Sequence, residues 1–132
     1  MKKIFVVFAV LLMACSTFTN LDQVKAKALT DELIQKINAG DYANLGQYYT
    51  NDMNEGESTD TRTAKFQKLK DAEGDFQSME VQSEKNSTTD NGLPCVVLVY
   101  KIKRTKLTTI ETYVVVSDGG GYKVAEQKIE QQ

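Results

Sequence analysis

Hydrophobic and polar positions follow three successive patterns along this chain. From Ile4 to Ala14 every residue is apolar. From Asn20 to Asp71 apolar residues recur at the spacing of helix faces. From Phe76 onward they alternate with polar ones or gather into β-branched runs.

In the second stretch, Ala26, Leu29, Leu33 and Ile37 form a stripe, with Leu21 and Ile34 close to it. The spacing predicts a helix over 20–39, capped by Asn20 with Gln23 three residues on, as in a capping box. Gly40 suits the stop, and Asp41 suits the cap of a second, short helix carrying Tyr42, Leu45, Tyr48 and Tyr49. Residues 50–61 are polar and acidic around Gly56 and read as a loop. A third short helix is predicted over 63–71, with Phe66 and Leu69 inward and Gly74 ending it.

Four strands follow. In 76–85, Met79, Val81 and Ser83 alternate with Glu80, Gln82 and Glu84, as on a half-buried strand. Residues 86–92, which include the sequon-like Asn86-Ser87-Thr88, read as a turn. The strongest strand is 95–104, where alternation separates Val96, Leu98, Tyr100 and Ile102 from Cys95, Val97, Val99, Lys101 and Lys103. The second set ends in two lysines, so the first set is expected to face the helices. Another strand spans 106–117, Asp118-Gly119-Gly120-Gly121 makes a hairpin turn, and the last strand spans 122–130. Helices first and strands afterwards predict an α+β domain. N-terminal helices would pack on one face of a curved, four-stranded antiparallel sheet.

The opening run changes the picture of where the chain works. Lys2 and Lys3 precede an apolar stretch that reaches only ~16 Å as a helix, about half of a hydrocarbon core. A mostly polar stretch, Ser16-Thr17-Phe18-Thr19-Asn20, follows rather than a charged stop signal. Leu12-Met13-Ala14-Cys15 resembles the lipobox of bacterial lipoproteins. That resemblance implies a signal peptide over 1–14, a lipidated Cys15 with a short tether over 15–20, and one domain over 21–132. One acyl chain binds a membrane only marginally, so several are needed for a firm anchor. The membrane is thus an expected partner through Cys15. Ser16, where an Asp would signal inner-membrane retention, leans the anchor toward the outer membrane facing the periplasm.

Composition then excludes much chemistry. The 132 residues carry a formal charge of −2, which becomes more negative once Lys2 and Lys3 leave with the leader. Such a domain is a poor binder of phosphate backbones, so no nucleic-acid partner is expected. There is no histidine, which removes Ser-His-Asp and Cys-His catalysis and histidine metal ligation. Cys95 alone makes no zinc cluster and has no base to activate it; it reads as a small buried hydrophobe. The acidic run Asp52, Asn54, Glu55, Glu57 and Asp60 misses the EF-hand pattern, with Glu57 and Thr63 where Gly and Glu would stand. No metal, cofactor or catalytic residue is assigned. Lys101, Lys103, Arg104 and Lys106, with Lys123 and Lys128, read as an ordinary guard against edge pairing on the solvent face of a sheet.

Gly40-Asp41-Tyr42 after a long helix, Tyr48-Tyr49, and Asp118-Gly119-Gly120-Gly121-Tyr122-Lys123-Val124 resemble the cystatin-like superfamily of nuclear-transport-factor-two-like domains over residues 20–129. Tyr122 stands where Trp is common there. Glu111-Thr112 is similar to small exported lipoproteins of that fold with unknown roles. The resemblance implies a cone between helix and sheet, which in the family's enzymes holds an Asp/His or Tyr/Asp pair. Here the candidate binding residues are Tyr42, Tyr49, Tyr100, Glu111 and Tyr113. The expected role is that of an envelope lipoprotein whose non-catalytic domain binds a small ligand or a protein. Two alternatives stand beside it. One is an isomerase or hydrolase using carboxylate and tyrosine, with Glu111 and Tyr113 as its first pair. The other is a structural accessory of an envelope complex.

Overall fold

A computed structural model describes residues 20–132. The expected signal peptide, 1–14, and the expected lipidation site, Cys15, lie outside the described residues. The described chain runs α1 (Gln23–Asn38), a 3-10 turn (Leu45–Tyr48), α2 (Asn51–Gly56), α3 (Thr59–Glu73), β1 (Phe76–Thr88), β2 (Pro94–Arg104), β3 (Thr108–Asp118) and β4 (Gly121–Gln131). The strands form one antiparallel meander in the order β1-β2-β3-β4. This is the α+β layout that the sequence predicts. No helix among the described residues is long and apolar enough to cross a membrane.

The first helix begins later than expected. Asp22, not Asn20, is its cap, and the carboxylate accepts from the amides of Val24 and Lys25. Its buried face is Ala26, Thr30, Leu33 and Ile34, with Leu29 and Ile37 packed half-buried against the same core. Thr30 sits in an apolar stripe because its hydroxyl donates back to the Ala26 carbonyl at 2.9 Å, which satisfies it without water. Asp41 caps nothing; it pairs with Lys36. The short element after it is the 3-10 turn, which no side chain caps.

Residues 50–61 are not a loop. Thr50 caps α2 and Ser58 caps α3 through side-chain oxygens. The inward stripe of α3 is Arg62, Phe66, half-buried Leu69 and Glu73. Two of its four members are charged, so apolar periodicity reveals only its middle. Residues 86–88 likewise belong to β1, and the turn comes after them.

On β2 the inner face is Val96, Leu98, Tyr100 and Ile102, all fully buried, while Lys101 and Lys103 are exposed. Facing them on β3 are Thr109, Glu111, Tyr113 and Val115. Register shifts at Phe76/Ser78, Val81/Ser83 and Val114/Val115 mark bulges, which bend strands and increase their twist. The far edge of β4 is partly covered. Tyr49 bridges Val124 in parallel, and the Thr50 amide donates to the Val124 carbonyl.

The meander puts the β1–β2 and β3–β4 connections at one end of the sheet and the β2–β3 turn at the other. The 104–107 turn lies at the end where α3 stops. Gly74 has φ +86, and the next residues are clamped to that turn. Thr105 donates from its amide to the Asp75 carbonyl and accepts from the Asp75 amide through its hydroxyl. A Cβ on Gly74 would lie 2.0 Å from Thr105 Oγ1 and 2.8 Å from the Lys106 nitrogen. Gly74→Ala should therefore cost ~2–3 kcal/mol, from left-handed backbone strain plus a lost hydrogen bond. A thermal melt with an unchanged midpoint would show that the corner relaxes freely.

Candidate functional site

The inner wall of the cone is built by period two on β3. Thr109, Glu111 and Tyr113 project from one face of the strand, and Gln127 and Ile129 on β4 stand opposite Tyr113 and Glu111. Glu111 is 2% exposed and Tyr113 fully buried. Burial forces their polar atoms to find partners. The Tyr113 hydroxyl donates to Glu111 Oε1 at 2.8 Å, and Thr109 Oγ1 donates to Glu111 Oε2 at 2.7 Å.

Arg104 supplies the charge that makes this carboxylate tolerable. Its Nη2 donates to Glu111 Oε2 at 3.1 Å and its Nη1 to Asn38 Oδ1 at 2.8 Å. Its Nε lies 3.3 Å from Glu73 Oε2 without hydrogen-bond alignment. Arg104 thus belongs to the interior, with only 8% of its side chain exposed, and not to the basic surface cluster. Parity already places it there, since 104 follows 96, 98, 100 and 102. Arg62 and Arg104 are the chain's two arginines; Arg62 is buried and the Arg104 side chain is only 8% exposed, while fourteen lysines serve elsewhere. A planar, weakly hydrated guanidinium suits buried pairing better than an ammonium.

The hydrogen-bond chain continues across the sheet. Gln127 Nε2 donates to the Tyr113 hydroxyl at 3.2 Å, and the Tyr49 hydroxyl donates to Gln127 Oε1 at 2.8 Å. The Arg62 guanidinium lies 4.2 Å over the Tyr49 ring, and its Nε donates to Glu57 at 3.0 Å. Tyr100 stands edge-on to Tyr113, centroids 5.8 Å apart, and donates to Asp31 at 2.9 Å. Tyr42 stacks on Phe66 at 5.9 Å on the other side of the cone.

The structure therefore joins Glu111, Tyr113 and Tyr49 in one hydrogen-bonded chain and brings Tyr100 against it by ring contact. Tyr42 makes no hydrogen bond to that chain but lines the same small cavity as Glu111. Sequence reasoning misses Glu73, Arg104, Thr109 and Gln127. For Thr109 and Gln127 the available signal is face parity on β3 and β4.

Burial raises the hydroxyl pKa of Tyr113, and the neighbouring Glu111 charge raises it further. Burial does the same to Tyr49 and Tyr100. Tyr48 is pushed up to about 12, chiefly by its hydrogen bond to Glu32. These hydroxyls stay protonated and act as donors. Between Glu73, Arg104, Glu111, Tyr42 and Phe66 the space left is about 20 Å³, room for one water-sized group and not for a substrate. Among the described residues no group of three His, Cys, Asp or Glu could hold a metal ion.

Among the described residues Glu73 is the one acid with a buried oxygen left unpaired. Its Oε1 is buried without a hydrogen-bond partner. Burial raises its pKa above 4.5, and Arg104 offsets part of that rise. A raised folded value means the neutral form fits the fold better. Its favourable contribution is complete below the ordinary value of 4.5 and is lost as pH rises through the raised value. Urea midpoints taken from pH 4.5 to neutrality should consequently fall less in Glu73→Gln than in the wild type. Parallel curves would count against this account.

No protein-family model and no curated protein sequence matches the chain. Among solved structures, it is similar to an NTF-2-like protein of unknown function from Silicibacter pomeroyi. The TM-score is 0.57 and the identity 15%, over 83% of this chain and 94% of that one. At that identity the likeness shows the fold, which is NTF2-like, and nothing of the role.

Proposed function

We propose that the chain is a bacterial lipoprotein, anchored through Cys15 to the outer membrane and facing the periplasm. On this reading its domain is a non-catalytic platform for a protein partner. The anchor rests on Lys2-Lys3, the apolar run and Leu12-Met13-Ala14-Cys15. The platform reading rests on one observation. The cone is filled to about 20 Å³, and its central carboxylate, Glu111, is fully engaged by Arg104, Thr109 and Tyr113. A general base needs reach to a substrate proton, and Glu111 offers none. The 2.8 Å Glu111–Tyr113 bond is what favours the second reading, a carboxylate/tyrosine enzyme.

Cys15→Ser should yield an unprocessed or soluble chain that incorporates no labelled palmitate. If that variant still matures and partitions with membrane lipid, the anchor reading fails. Crosslinking in the native envelope should capture a discrete protein partner. A small molecule that raises the melting temperature of the wild type, but not of Tyr113→Phe, would replace the platform with a ligand-binding cone.

A further inference from the structure

Helices cover only one face of the sheet. On the other face, beside the β1–β2 loop, the β3–β4 turn and the start of α2, lies an open groove of about 530 Å³. Its apolar lining is half-buried Val114 on β3, half-buried Ala125 at the β4 bulge and exposed Leu93, with buried Val116 beneath. Its charged lining residues are Asp52, Asp90, Asp118 and Glu126. None of the four makes an ion pair among the described residues, where seven other pairs form. These carboxylates are not gathered tightly enough to hold a single metal ion. The charge is spread along a trough, and the apolar lining favours carbon.

The geometry points to an extended polypeptide segment rich in lysine or arginine as the occupant of this groove. Basic side chains carry long aliphatic stems under a charged tip. The stems match the apolar lining and the tips match the carboxylate walls. An acidic segment would meet only like charge there, and a purely apolar one would leave the four carboxylates facing it uncompensated. The inference deepens the platform reading by naming the chemistry of the partner, and it rests on that reading for the partner being a polypeptide.

The test uses the purified full chain and a short fluorescein-labelled peptide of alternating lysine and valine, read by anisotropy. Saturable binding is expected, with none for the glutamate–valine counterpart. Combining Asp90→Asn, Asp118→Asn and Glu126→Gln should weaken binding about ten-fold, as the loss of several exposed pairs would. The same charge change outside the groove, Asp60→Asn with Asp71→Asn and Glu80→Gln, should leave it within about two-fold. Val114→Ser should weaken the lysine–valine peptide and leave plain oligolysine unaffected. Equal losses from both triple variants, or oligolysine binding as tightly as the mixed peptide, would overturn the groove in favour of diffuse attraction. A chain that sediments as a dimer and is dissociated by Lys101→Ala with Lys103→Ala would give the groove to a second copy instead. If peptide binding fails while a partner still crosslinks in the envelope, the groove is wrong and the platform reading stands.

Discussion

Replacing Arg104 with methionine should cost the domain ~3–5 kcal/mol, the range seen when one partner of a buried ion group is removed. Methionine keeps the apolar stem and removes the charge. Glu73 and Glu111, each 2% exposed, would then share a closed site with no cation between them. Two further results separate this cause from simple loss of packing. Acidification should narrow the gap to the wild type, because protonating Glu73, whose pKa burial already raises, removes a stranded charge. Adding Glu73→Gln and Glu111→Gln to Arg104→Met should recover much of the loss, since neutral amides need no counter-charge. A urea melt at neutral pH showing a loss under 1 kcal/mol would mean that water already screens the site.

That buried ion group also marks where sequence reading stops. The Glu111–Tyr113 pair is legible because both residues lie on one strand and alternation puts them on one face. Arg104 is legible in position by the same rule, but its chemistry misleads, because it follows Lys101 and Lys103 in what looks like a surface run. Glu73 and Asn38 reach the site from other elements, 31 and 66 positions from Arg104 in the chain, and local spacing carries no trace of such a meeting. The helices divide in the same way. The first helix shows through its apolar stripe, although its true cap, Asp22, is displaced from Asn20 by two residues. By contrast α2 fully buries no side chain and packs only half-buried Met53 against the core, so no apolar stripe exists to reveal it. Only the caps Thr50 and Ser58 announce α2 and the true start of α3.

The strand faces give the second large expectation. Leu98→Ala should cost ~2–5 kcal/mol, as cavity-forming core substitutions do. Leu98 is fully buried in one cluster with Leu33, Tyr100 and Tyr113, and half-buried Leu29 and Ile37 pack against that cluster. Two strands and the first helix converge there, so a truncated side chain leaves a hole that no single rotamer can fill. Lys103→Ala, on the exposed face of the same strand, should cost under about 0.5 kcal/mol. The pair isolates the face from the strand, because both residues share β2 and its hydrogen-bond ladder. Stability of a domain this size is of order 5–15 kcal/mol, so the leucine variant should lose a large share of it while keeping its secondary structure at low temperature. Urea midpoints in the reverse order would mean that the lysine face, and not the leucine face, lies against the helix.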